Sequence, residues 1–245
     1  MRLLRSSRGR AQCLISTICL LLASPIQARD ITQAEWAVWP DFCKAAWLDS
    51  SGGARSAFQG RMSPEQIRSI LSKTDQTVGI FGTWHFCLAM AETGRAKIGP
   101  YNRETEETLQ NALNDYAYSF ARTPKTAPGY SMLAAHYGTA LYISRRRDEA
   151  FSMWEKGIEA QPSSRESYLA MAEMLLKERK HKDALKVLLR YEDKKTYDSP
   201  DAEYFLGHVY FELKQYDKAR EHADRAYKLG YPFPGLRRKL ERVGK

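Results

Sequence analysis

Apolar residues recur at helical spacing over most of the chain, and the whole pattern repeats after 34 or 35 residues. The clearest markers are three alanines with similar apolar surroundings, Ala150, Ala184 and Ala219. If each alanine occupies position 20 of a unit, the three units begin at Ser131, Arg165 and Pro200. A fixed period of this length is typical of stacked helical hairpins, in which each unit buries its apolar face against its neighbours. The pattern therefore predicts a helical solenoid rather than a catalytic domain.

Small and apolar positions within the units predict how the two helices of each hairpin pack. Position 8 is small in every unit, as Gly138, Ala172 and Gly207. Positions 7 and 11 form one apolar face of the first helix, with the pairs Tyr137 and Leu141, Met171 and Leu175, and Leu206 and Tyr210. Because residues three and four apart share a helix face, this arrangement predicts a close helix crossing near position 8.

An earlier, modified unit precedes these three. Residues Asn102 to Phe120 are predicted to form its second helix, with Ala112 at position 20, and its first helix is placed around Thr83 to Met90. This placement leaves about eleven extra residues in the turn, including Gly94 and Pro100, and a surface loop tolerates such an insertion at little cost. Four repeats are expected in all.

The repeat pattern resembles the tetratricopeptide repeat, most closely at Leu206-Gly207-x-x-Tyr210 followed by Tyr216, Ala219 and Ala226. The resemblance implies an all-α solenoid of helical hairpins. A helix from Pro234 to Val243, with Leu236, Leu240 and Val243 on one face, is expected to cap its C-terminal end. The expected organisation is a leader over residues 1–28, a helical extension over residues 29–75, and the solenoid with its cap over residues 76–245.

The helical extension is dense in aromatic residues, which we expect to be buried: Trp36, Trp39, Phe42 and Trp47. Ser63-Pro64-Glu65-Gln66 has the form of a capping box with proline at the first helical position. A short helix is therefore predicted to start at Ser63.

The first 28 residues have the composition of a secretory signal peptide. Four arginines and no acid precede a short apolar core from Leu14 to Ala23, and Ala28 is a small residue suited to cleavage. The core is much shorter than the roughly 20 residues that span a bilayer, so cleavage near Ala28 is favoured over an uncleaved anchor. The sequence thus predicts a periplasmic or otherwise exported protein with no stable membrane span after cleavage.

The charge pattern argues against a nucleic-acid partner. The net charge is +9, and it falls to +5 without the four leader arginines. Both signs are interspersed along the predicted helices, with no basic stripe that carries interleaved aromatic residues. The local exceptions, Arg145-Arg146-Arg147 and the basic C-terminal helix, are interpreted as solvated surface.

Cysteine usage supports the predicted compartment. Only Cys43 and Cys87 remain once the leader is removed, and two cysteines in an oxidising compartment indicate one structural disulfide. Their surroundings, an aromatic-Cys element and the element His85-Phe86-Cys87, resemble the N-terminal part of some exported bacterial tetratricopeptide proteins. The bond would fasten the extension to the open end of the solenoid.

The sequence offers little support for catalysis. The competing hypothesis is a periplasmic accessory factor that handles thiols or metals with Cys43, Cys87 and His85. His85 has no second histidine at helical spacing, and no phosphate loop, serine elbow or paired carboxylates occur. We therefore expect no enzyme activity, no cofactor and no metal site.

The resemblance to tetratricopeptide repeats implies a binding groove lined by the first helix of each unit. Its inward positions 5, 9 and 12 correspond here to Ala135, Leu169 and Tyr204, to Thr139, Glu173 and His208, and to Tyr142, Leu176 and Phe211. Position 2 adds Met132, Glu166 and Asp201. The expected partner is an apolar protein or peptide segment with basic flanks, and coverage by the chain's own C-terminal helix is the alternative. The predicted function is a scaffold in a bacterial envelope assembly, whether of secretion, polysaccharide-export or pilus type.

Overall fold

The computed structural model describes residues 31–52 and 56–244, so the predicted leader lies outside the described residues. The described part of the chain forms twelve α-helices and no strand, and this confirms the all-α solenoid. The helices are α1 (Gln33–Val38), α2 (Asp41–Asp49), α3 (Pro64–Thr77), α4 (Thr83–Ile98), α5 (Arg103–Phe120), α6 (Tyr130–Ile143), α7 (Arg147–Ala160), α8 (Glu166–Lys177), α9 (His181–Lys194), α10 (Pro200–Glu212), α11 (Tyr216–Lys228) and α12 (Gly235–Arg242).

The three regular units are the hairpins α6–α7, α8–α9 and α10–α11, whose first helices begin within one residue of the predicted starts. Two of the small residues lie where helices approach closely. A Cβ atom on Gly138 would overlap the indole of Trp154 in α7. A Cβ atom on Gly207 would lie 2.6 Å from Cδ2 of Leu236 and 3.2 Å from the carbonyl oxygen of Ala219. The close approach predicted at position 8 is therefore confirmed at these two sites.

The backbone turns between the paired helices repeat with the same period. Arg145, Arg179 and Lys214 all adopt left-handed conformations, with φ of 63°, 58° and 59°. The next residue in each turn donates its N–H back into the first helix, as Arg146 N–H does to the Leu141 carbonyl at 2.9 Å. This hydrogen bond closes a six-residue turn and satisfies one of the last carbonyl groups of the first helix. Each unit therefore reverses the direction of the chain in the same way.

The first, modified unit differs from the prediction in the length of its first helix. Helix α4 continues through Gly94 to Ile98, and only residues 99–102 connect it to α5. The extra residues therefore lengthen the helix and not the turn. Ala91 and Ala96 are buried, so the added turns contribute their own apolar contacts. The second helix agrees with the prediction and is capped by Asn102, whose side chain accepts a hydrogen bond from the Thr105 N–H.

The N-terminal extension packs against α4. Trp36, Trp39 and Trp47 are buried as expected, whereas Phe42 is only partly buried. Trp36 stacks on Phe58 with ring centroids 4.3 Å apart. Cys43 in α2 and Cys87 in α4 form the disulfide predicted from the sequence, with Cα atoms 5.5 Å apart.

An ion pair to α4 and a helix cap also stabilise the extension. The guanidinium of Arg95 in α4 donates two hydrogen bonds, of 2.6 and 2.7 Å, to the carboxylate of Glu35 in α1. The capping box at Ser63 is present, with the Gln66 N–H donating to the Ser63 hydroxyl at 3.2 Å. The helix that follows has 14 residues and is longer than predicted.

Helix α12 closes the other end of the solenoid. Its residues Leu236 and Leu240 are buried, whereas Val243 lies beyond the helix and is 41% exposed. The predicted apolar face of this helix therefore has two buried residues and not three. None of the helices in the described part of the chain combines the length and apolar character needed to cross a bilayer.

Candidate partner-binding recess

The structure contains a recess of about 630 Å³ between α8, α10 and α12, which we call the α8–α10–α12 recess. Of the nine groove side chains predicted at positions 5, 9 and 12, three contribute to it: Glu173, Leu176 and His208. The remaining lining residues are Lys177, Arg179, His181, Glu212 and Lys239. Because Lys239 belongs to the capping helix, the recess depends on the C-terminal segment as well as on the repeats.

The predicted groove residues of the first unit are used inside the solenoid. Ala135 is buried, and the Thr139 hydroxyl donates to its carbonyl oxygen at 2.9 Å. The ring of Tyr142 lies 6.1 Å from that of Trp154, and its hydroxyl donates to Glu178 Oε1 at 2.9 Å. Tyr142 thus connects α6 to α7 and to the C-terminal end of α8, whereas the Thr139 bond lies within α6, and none of the three side chains lines the recess.

The predicted groove residues of the third unit are partly covered by the chain's own C-terminal segment. Tyr204 stacks on Tyr231 with ring centroids 3.9 Å apart. Phe211 packs against Tyr216, and Lys239 Nζ lies 5.4 Å from the centre of its ring. Leu169 of the second unit is half-buried against the core. Of the three position-12 residues Tyr142, Leu176 and Phe211, only Leu176 lines the recess, and the stripe expected from them stays a prediction.

Basic side chains lie close to the acidic residues predicted to attract a basic ligand. Glu173 pairs with Lys177 at 2.7 Å and with Lys97 of α4 at 3.6 Å. Glu212 pairs with Lys239 at 3.2 Å. Outside the recess, Asp201 and Glu166 both lie within 4.0 Å of Arg165. Inside the recess the acidic side chains are therefore paired, whereas Glu166 and Asp201 outside it share the single charge of Arg165.

The recess retains two polar groups available to a ligand. Arg179 is exposed and forms no ion pair within the described residues, so its guanidinium is open to a carboxylate. Desolvation, reinforced by the charge of Lys239, lowers the pKa of His208 to about 4. His208 is therefore a neutral imidazole at neutral pH and can exchange one hydrogen bond in each direction.

His85 and the two cysteines all have structural partners. Both cysteines are fully buried in the disulfide. His85 Nδ1 lies 2.7 Å from Asp115 Oδ1, and its ring stacks on Trp84 at 3.6 Å. Across residues 31–52 and 56–244, no three His, Cys, Asp or Glu side chains are grouped closely enough to hold a metal ion. The arrangement favours a packed histidine over the thiol- or metal-handling alternative.

Sequence reasoning missed a buried charge cluster in the third unit. Glu203 is 2% exposed and accepts hydrogen bonds from His222 at 2.8 Å and from Arg225 at 2.9 Å. Burial opposes ionisation, but these hydrogen bonds outweigh it and lower the pKa of Glu203 to about 2. The signal in the sequence was an acid at position 4, where the second unit has Tyr168.

We expect this cluster to make stability depend on acid pH. The pKa of Glu203 is lowered from 4.5 to about 2 in the folded state, so the unfolded state takes up a proton first as the pH falls. The stabilisation is complete above pH 4.5 and is lost as the pH falls through about 2, at a cost of about 3 kcal/mol in the free energy of unfolding. In urea titrations from about pH 5 to pH 2, Glu203→Gln should lose correspondingly less stability than the wild type.

A second carboxylate, that of Glu178, should also make stability depend on acid pH. Hydrogen bonds from Arg147 lower the pKa of Glu178 to about 2, so the dependence should be reduced in Glu203→Gln and not abolished. Glu241→Gln, an exposed change on α12, should leave the pH dependence unchanged. Equal pH dependence in Glu203→Gln and the wild type would contradict the assignment.

Comparison with known proteins supports the repeat assignment. The family model of the anaphase-promoting complex, cyclosome, subunit 3 matches residues 132–226, which run from α6 into α11. This is a tetratricopeptide-like repeat family, so the resemblance inferred from the 34-residue period is confirmed for the three regular units. The match covers less than half of the chain and does not extend to the segment that carries Cys43 and His85. No curated protein sequence matches the chain.

Proposed function

We propose that this protein is an exported, non-catalytic component of a bacterial envelope assembly, which holds a segment of a partner protein in the α8–α10–α12 recess. Tetratricopeptide-like repeats serve protein–protein interaction, and this general role applies to the chain. The observation that carries the more specific proposal is the recess itself, which combines Leu176 with the open guanidinium of Arg179. Export is supported by the composition of residues 1–28, and the Cys43–Cys87 disulfide is compatible with it.

The chemistry of the recess suits a partner segment with an apolar side chain beside a carboxylate. Leu176 offers apolar surface to the first group, and Arg179 can bind the second through two parallel hydrogen bonds. The carboxylates of Glu173 and Glu212 are already paired, so they would not repel an acidic ligand as strongly as free acids would. We therefore replace the basic flanks expected from the sequence with an acidic contact.

In-cell crosslinking tests this proposal. A photoreactive residue at the exposed position Lys177 should capture a partner, and the same residue at Lys182 on the outer side of α9 should not. Adding Leu176→Ala and Arg179→Glu should reduce the captured yield about tenfold or more, since together they remove an apolar contact and reverse a charge. Arg220→Glu on α11 is the matched charge control and should leave capture unchanged.

The choice of variants follows from the structure. Tyr142→Glu, which the repeat pattern alone would select, places a carboxylate beside Glu178 and would weaken the junction between two repeats. Unchanged thermal unfolding in the Leu176→Ala, Arg179→Glu protein is required before its crosslinking is interpreted. Undiminished capture by this folded variant would contradict the recess as the binding site. The buried positions of Trp36 and Trp39 argue against the extension as an alternative surface.

A further inference from the structure

The C-terminal end of the solenoid carries a concentrated positive charge. From Lys228 to Arg242 there are five basic residues and one acidic residue, Glu241. In α12 the buried residues are Leu236 and Leu240, so at 100° per residue Arg238 and Arg242 lie on the opposite side of the helix. Both are exposed, and neither forms an ion pair within the described residues. This side of α12 therefore presents unneutralised cations to the surroundings.

An exposed apolar loop comes directly before this helix in the chain. Phe233 is 65% exposed and Leu229 is 42% exposed, although both belong to the segment that closes the solenoid. Pro232 and Pro234 have no N–H group, so Phe233 supplies the only backbone donor of this tripeptide. The Phe233 carbonyl oxygen accepts a hydrogen bond from the Tyr227 hydroxyl at 3.4 Å. Unsatisfied backbone polar groups are the main obstacle to placing irregular backbone at a lipid interface. This loop has few of them, so it can leave water at little cost.

We infer that this end of the molecule binds peripherally to an anionic bilayer surface. The binding surface, here called the terminal face, consists of Lys228, Leu229, Phe233, Arg238 and Arg242. Its cations match the charge of anionic headgroups, and the Phe233 ring enters the boundary between headgroups and acyl chains. An acidic protein would satisfy the arginines but would leave unexplained an aromatic side chain presented between two prolines.

The terminal face is separate from the α8–α10–α12 recess and goes beyond the proposed function. Lys239 lies on another side of α12, where it pairs with Glu212 and lines the recess. One helix thus contributes to both surfaces without a shared side chain. A protein bound through the terminal face would keep its recess open to a partner close to the membrane.

Vesicle flotation of the full-length protein tests this inference. The vesicles contain phosphatidylcholine alone or mixed with phosphatidylglycerol, and binding is expected only to the anionic mixture. Each basic residue near such a surface contributes about fivefold in affinity, so Arg238→Gln with Arg242→Gln should weaken binding about 25-fold. This part of the binding should also weaken at high salt. Phe233→Ser should weaken binding at both low and high salt, because it removes an apolar contribution.

A charge control on α9 shows whether the effect is specific to the terminal face. Lys182→Gln with Lys186→Gln removes the same charge from the exposed side of α9 and should leave vesicle binding unchanged. All variants share residues 1–30, so any contribution of the leader is the same in each comparison. The inference is overturned if the wild type does not bind the anionic vesicles, or if the α9 variant loses as much binding as the α12 variant. It is also overturned if the protein is retained on polyglutamate but not on vesicles, since the occupant would then be an acidic protein.

Discussion

A protein that lacks the Cys43–Cys87 bond is expected to unfold with a free energy about 4 kcal/mol below that of the oxidised protein. The bond joins residues 44 positions apart, so its loss releases a long loop in the unfolded chain and increases the conformational entropy gained on unfolding. It also connects α2 to α4, and with it the buried aromatic residues of the extension to the first repeat. The measurement is guanidinium unfolding of the wild type and of the Cys43→Ala, Cys87→Ala variant, followed by circular dichroism.

Reduced wild-type protein provides the matched comparison for the double variant. It lacks the same covalent link but keeps both sulfur atoms, so it separates the loss of the bond from the loss of side-chain volume. Both forms should be destabilised, with the extension becoming susceptible to protease before the repeats. The structural role is refuted if the double variant and the oxidised wild type unfold at the same guanidinium concentration.

Gly138→Leu should destabilise the protein by about 3 kcal/mol, because the first hairpin has no space for a side chain at this position. A Cβ atom alone would overlap the indole of Trp154, which is fully buried. The indole cannot easily move, since its Nε1–H donates a hydrogen bond of 3.1 Å to the Ala135 carbonyl. Thermal unfolding should therefore shift to clearly lower temperature.

Gly94→Leu is the matched control for this substitution. Gly94 lies inside helix α4, and a Cβ atom there would meet no other atom within 4 Å. Because leucine is a better helix former than glycine, this variant should be more stable than the wild type by up to about 1 kcal/mol. Similar losses of stability in the two variants would contradict the assignment, because the loss would then not depend on the close approach of α6 and α7.

The position of a residue in the repeat does not by itself show whether its side chain lines a binding site. Tyr142, Leu176 and Phe211 occupy equivalent positions in sequence, yet they have different surroundings. Tyr142 donates to Glu178, 36 residues away, whereas Phe211 meets Lys239 from a helix that is not part of any repeat. The register specifies the direction of a side chain on its own helix. It does not specify which neighbours cover that side chain once the helices are packed.

The sequence by itself determined the repeat period, the starts of the first helices of the three regular units, the three buried tryptophans of the extension, and Gly138 and Gly207 at two close helix approaches. These features depend on local periodicity and on side-chain size within one hairpin, both of which are present in a short stretch of chain. Only the tertiary structure decided the length of α4, the partners of Glu178 and Glu203, and the side chains that line the α8–α10–α12 recess. These depend on contacts between residues far apart in the chain, such as Lys97 with Glu173 and Arg147 with Glu178. A charged residue can pair with many others in sequence, and the packing of the helices selects the one that lies within reach.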